Sequence, residues 1–120
     1  MKCVYKISCK DKEITEFYIG SSVDFENRKL AHKKDSKNVN HSNYCIPLYM
    51  FINVNGGIEN WEYEVIKEFP NHNKKQLNIE EQKYILLLKP ELNSSNSYGL
   101  DRKRRKEYLK LQYKIKVNAL

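Results

Sequence analysis

The chain of 120 residues has only four glycines, three prolines and one tryptophan, which excludes collagen-like and low-complexity architectures. Its three cysteines, Cys3, Cys9 and Cys45, are odd in number and form no CxxC pair. A disulfide framework is therefore not expected, and an intracellular, reducing compartment is. The histidines His32, His41 and His72 add no ligand at convincing zinc spacing, so no zinc is expected. No apolar run approaches the ~20 residues that cross a bilayer. Met1 is followed by Lys2, Lys6 and Lys10 with no apolar h-region, so neither a membrane span nor a secretory signal is expected.

Hydrophobic residues make up 40% of the chain and charged residues 31%, enough for one modest core. The net charge of +7 is unevenly spread. Residues 101–120 hold eight basic groups against two acidic ones, while residues 1–100 are almost neutral, with 14 against 13. The basic run Arg102, Lys103, Arg104, Arg105 and Lys106 lies in that tail. Such a segment attracts polyanions, most often nucleic acid, or simply solubilises the chain.

Residues 2–8 alternate as a strand, with Cys3, Tyr5 and Ile7 on one face and Val4, Lys6 and Ser8 on the other. A polar turn leads to a second strand over residues 14–20, antiparallel because the connection is too short for a crossover. Ser21 and Ser22 offer a helix cap, and Asp24 and Glu26 suit a first turn, so a helix is expected over residues 23–35. Its core side is expected at Val23, Leu30 and Ala31. Residues 36–44 read as a polar loop and 47–53 as a short helix stopped by Asn55-Gly56-Gly57. Residues 61–69 read as a third strand, 75–89 as the clearest helix, and 93–98 as a loop. The tail is ambiguous: 101–108 looks helical and 109–117 alternates like a strand. The order predicts an α+β fold, a small three-stranded antiparallel sheet flanked by helices.

Three clusters stand out. In the helix over 75–89, Leu77, Tyr84 and Leu88 form an apolar stripe with Ile85 beside it, and Glu81 falls inside that stripe. A carboxylate there pairs with an interior cation, reaches solvent at the stripe's edge, or holds a metal ion. Arg28 and His32, four apart, share a helix face. Arg28 is the one arginine outside the tail, and its planar fork suits phosphate; the plain alternative is an exposed basic face. Tyr5 and Tyr18 lie on neighbouring strands and either pack in the core or stand together at a site.

Together these residues resemble the GIY-YIG nuclease family. Cys3-Val4-Tyr5 stands where the family has Gly-Ile-Tyr, and Tyr18-Ile19-Gly20 matches the second half of the motif. Gly20-Ser21-Ser22 resembles the turn into the first helix, Arg28 with His32 the arginine–histidine pair, Glu81 the metal-binding glutamate, and Asn93 in Leu92-Asn93 the closing motif. Asn55-Gly56-Gly57 ahead of Trp61 is similar to homing-type and large-DNA-virus members. The likeness covers a catalytic domain over residues 1–95 and leaves 96–120 as a basic extension.

The resemblance implies a metal-dependent DNA endonuclease. In that reading Glu81 holds one divalent ion, Mg²⁺ or Mn²⁺, and Arg28 neutralises phosphoryl oxygens. Tyr5 takes a proton from water with help from His32 or a nearby cation, Tyr18 orients phosphate or water, and Asn93 fixes the architecture through its amide. The tail supplies affinity for DNA rather than chemistry. A monomer is expected, or a dimer on DNA if both strands are cut. The rival readings are a non-catalytic nucleic-acid-binding module that keeps the fold, and an interaction protein whose 109–117 segment pairs with another sheet edge.

Overall fold

Strand β1 (Cys3–Cys9) is buried on both sides, because it is the middle strand of a three-stranded sheet. Its neighbours are β2 (Phe17–Ser22) and β3 (Trp61–Glu68), both antiparallel to it, in the order β2-β1-β3. The structure is a computed structural model that describes residues 1–38 and 46–93. Helix α1 (Phe25–Lys37) follows β2, and α2 (Pro47–Val54) precedes a short 3₁₀ turn (Ile58–Asn60) and β3. Helix α3 (Lys74–Leu88) and a second 3₁₀ turn (Glu91–Asn93) close the described chain. The order of strands and long helices is the one expected, and the expected α+β class stands.

The period of two along each strand splits the core into two layers. Cys3, Tyr5, Ile7 and Cys9 pack with Phe25 of α1, Leu48, Tyr49 and Ile52 of α2, and Trp61. Val4 and Ile19, from the opposite parity, pack with Phe69 and with Leu77 of α3. So α1 and α2 cover one face of the sheet and α3 the other. Burying Leu77 stabilises that second layer by about 2 kcal/mol. Both described thiols, Cys3 and Cys9, are free and belong to the first layer.

Local signals hold these pieces. Asn73 caps α3 in a reciprocal capping box with Gln76, and Lys89 ends the helix in the left-handed region just before Pro90. Gly56 and Gly57 both carry positive φ (98° and 82°), and so turn the chain from α2 back toward β3.

Four expectations are corrected. Helix α1 is capped by Asp24, whose carboxylate accepts from Asn27 N–H, and not by Ser21 or Ser22, because β2 continues through both serines. It also runs to Lys37, past the expected start of a loop at 36. Its inward face is Phe25, His32 and Ser36, whereas Val23 and Leu30 are 46% and 65% exposed. The apolar pattern misleads there because the polar His32 is buried between the hydroxyls of Tyr5 and Tyr49, to which it hydrogen-bonds. At the far end of α3 the apolar stripe opens to solvent, and Leu88 is 42% exposed. The tail residues Arg102, Lys103, Arg104, Arg105 and Lys106 lie outside the described residues, as do His41, Cys45 and the segments 101–108 and 109–117.

Candidate active site

The pairing register decides where the two motif tyrosines meet. Tyr5 stands opposite Gly20 and Ile7 opposite Tyr18, so Tyr5, Tyr18 and Gly20 point to the same side. The two phenol rings lie 6.4 Å apart between centroids. Gly20 has no side chain for a steric reason. A Cβ there would sit 2.6 Å from Cζ and Oη of Tyr5 and 2.8 Å from Cε1 of Tyr18, closer than real contacts allow.

His32 reaches this layer from α1. Its Nε2 is 2.8 Å from Tyr5 Oη and its Nδ1 is 2.8 Å from Tyr49 Oη on α2. Burial, reinforced by the neighbouring Arg28 charge, lowers its pKa to about 3, so the ring is neutral at physiological pH. Burial holds the Tyr5 hydroxyl far above the ordinary phenol range, and Tyr18 and Glu81 push the same way. A hydrogen bond from the Arg28 guanidinium opposes that rise without cancelling it. Burial and the Glu81 charge also raise Tyr18. The free protein therefore carries phenols, not phenolates, at this site.

Glu81 arrives from the other face of the sheet. It lines a cavity of about 400 Å³ together with Tyr18, Ser21, Arg28, Lys74 and Asn78. Ser21 Oγ donates to Glu81 Oε1 at 3.3 Å, and among the described residues no cation pairs with the carboxylate. Burial raises its pKa, and the Ser21 hydrogen bonds with the Arg28 charge only partly restore it. The apolar-face position read from the sequence is thus a cavity wall, not an interior salt bridge.

Asn93 stands behind β2, where its side-chain amide grips the backbone of Ile19 through two hydrogen bonds. Glu91 accepts from Phe17 N–H nearby at 3.2 Å. Tyr5, Tyr18, Arg28, His32 and Glu81 thus converge on the β2 end of the sheet, and Asn93 buttresses that strand. Two members of the constellation escaped the sequence reading. Tyr49 sits in an apolar helix where nothing distinguishes it from core. Ser21 is expected from the sequence as a helix cap and turn residue, whereas its parity with Ile19 puts it on the α3 side.

The GIY-YIG catalytic domain model matches residues 1–96. The chain belongs to the GIY-YIG family. A solved structure, the catalytic domain of the homing endonuclease I-TevI, superposes with a TM-score of 0.58 at 29% identity. That match covers 78% of this chain and 90% of the other. No curated protein matches. The GIY-YIG protein is accordingly a nuclease, with a three-stranded antiparallel sheet and three α-helices among the described residues.

Proposed function

We propose that the protein is an endonuclease that hydrolyses phosphodiester bonds of DNA, using one divalent ion, Mg²⁺ or Mn²⁺, at Glu81. The observation that carries this reading is the meeting of Glu81 and Arg28 in one cavity, beside Tyr18 and in front of the Tyr5–His32 pair. The residues fit a hard cation. Glu81 is a half-buried carboxylate on the cavity wall whose described hydrogen-bond partners, the hydroxyl and the backbone N–H of Ser21, are both neutral. No group of three His, Cys, Asp or Glu side chains gathers among the described residues. Glu81 would hold such an ion, with water and phosphate oxygens available as further ligands of the kind Mg²⁺ takes. When bound, it relieves charge on a phosphoryl oxygen and lowers the pKa of a bound water.

The chain's own groups supply the rest. Arg28 offers two parallel N–H donors to the non-bridging oxygens as charge builds there. Tyr5 Oη takes a proton from the attacking water while its own proton passes to His32 Nε2 at 2.8 Å. The water oxygen forms its bond to phosphorus, one bridging P–O bond breaks, and the leaving alkoxide takes a proton from solvent. Tyr18, on the cavity wall, orients the phosphate or the water. One such site cuts one strand, so a double-strand break calls for two copies or two visits.

Plasmid nicking with Mg²⁺, wild type against Glu81→Ala, tests the reading. Wild type is expected to convert supercoiled DNA to the open circle, and the variant is expected to be inactive. Metal-independent binding without cleavage by either protein would favour the non-catalytic module instead.

A further inference from the structure

We propose that Tyr49, on α2 and outside the cavity, is a positioning residue that fixes the tautomer of His32 and so keeps its Nε2 lone pair on the Tyr5 proton. This inference rests on the nuclease reading for its catalytic consequence, but its structural half stands alone. The Tyr5 hydroxyl is fully buried and is a phenol in the free protein, so its hydrogen needs an acceptor. Arg28 can only donate to it. The remaining described partner is His32 Nε2, at 2.8 Å. Tyr49 is equally buried, and what breaks the symmetry is Arg28, whose N–H already lies on the Tyr5 oxygen: Tyr5 therefore donates to the ring, and Nε2 carries no hydrogen. A neutral imidazole must then carry its hydrogen on Nδ1, which donates to Tyr49 Oη at 2.8 Å.

Two features make Tyr49 suited to this. It is 1% exposed and wedged among core side chains of its own helix, Leu48 and Ile52, so its hydroxyl is held in place. It also meets the imidazole edge-on, with centroids 5.8 Å apart at 78°, which orients the ring as well as its proton. When the Tyr5 O–H bond breaks and the Nε2–H bond forms, the imidazolium keeps its Nδ1–H on an oxygen. Without that oxygen the buried ring loses a partner on one side, and the Nε2–H tautomer, which cannot accept from Tyr5, becomes accessible.

Nitrogen-15 NMR of the histidine ring in the full chain reads the tautomer directly, with the His32 signals assigned by their loss in His32→Gln. Wild type is expected to show Nδ1 protonated and Nε2 bare. Tyr49→Phe, which removes one oxygen and keeps the ring, is expected to move His32 toward the Nε2–H form. The same variant is expected to lose at least tenfold in kcat for nicking with KM and melting temperature little changed. A wild-type spectrum with hydrogen on Nε2 overturns the proposal, whether or not Tyr49→Phe folds. So does a folded Tyr49→Phe with the wild-type tautomer, or with full turnover. Absence of nicking by wild type would instead sink the nuclease reading and leave the tautomer to the spectrum.

Discussion

Asn93 holds Ile19 by both of its backbone polar groups, across 74 residues of sequence. Its Oδ1 accepts from Ile19 N–H at 2.8 Å, and its Nδ2 donates to Ile19 C=O at 2.6 Å. The side-chain amide thus imitates the peptide of an absent neighbouring strand on the outer edge of β2. Ile19 lies between Tyr18 and Gly20, so the clamp sets the strand that carries half of the motif. Asn93→Ala is expected to cost about 1–3 kcal/mol of stability by freeing two part-buried backbone groups. Asn93→Asp should be worse, since it turns a carboxylate oxygen toward a carbonyl. Urea denaturation of the three proteins measures this; wild-type stability in Asn93→Ala would contradict the clamp.

Gly20 is the counterpart constraint on the other side of the same strand. A methyl group there meets Tyr5 and Tyr18 within 2.8 Å, and Tyr5 is fully buried and cannot swing away. Gly20→Ala is expected to cost about 1–3 kcal/mol through overpacking. Nicking activity should fall by more than tenfold, because the displaced group is the Tyr5 phenol itself. A crystal structure or activity assay showing an undisturbed Tyr5 would refute this.

Glu81 carries a conflict between stability and function. Its ionised form is penalised by burial, so its pKa lies above the ordinary carboxylate value. A group with a raised folded pKa favours the fold at low pH and loses that contribution as pH rises through it. At neutral pH without metal, Glu81→Gln should therefore melt no lower than wild type, and somewhat higher, while cleavage disappears. Calorimetry with and without Mg²⁺ provides the check: added metal should stabilise wild type and leave Glu81→Gln unmoved.

His32 imposes the opposite pH signature. Its folded pKa of about 3 lies below the ordinary value of 6.5, so only the unfolded chain takes up the proton between them. This group's contribution is intact above pH 6.5 and is lost as pH falls toward 3. Between pH 7 and 5 the loss is about 2 kcal/mol. His32→Gln should be less stable than wild type at pH 7, and the gap should narrow by that amount at pH 5. A constant gap in urea titrations would mean that His32 titrates normally.

The basic segment at 101–120 makes a separate prediction about affinity. Its removal should weaken DNA binding and flatten the dependence of log K on log salt, while metal-dependent cleavage stays detectable. Fluorescence anisotropy over a salt series decides it, and unchanged binding would remove the tail from the interface.

Most of the fold was legible because short-range periodicities announce it. The alternation of Cys3, Tyr5 and Ile7 against Val4, and of Tyr18 against Ile19, is what the two core layers use. Helix α1 was the failure: its inward residues Phe25, His32 and Ser36 are largely polar, so apolar patterning pointed to exposed Leu30 instead.

By itself, the sequence determined the strands and their parity, since these follow from spacing and residue type, and it singled out the side chains that gather at the candidate site. Only the tertiary structure decided that Glu81 comes from the α3 face and Tyr5, Arg28 and His32 from the other, to meet around the end of β2. It alone decided that Tyr49 closes the Tyr5–His32 chain, and that Gly20 is bare because a phenol lies over it. Those are contacts between residues distant along the chain, and a local pattern carries no record of which distant atoms come within hydrogen-bonding or van der Waals reach.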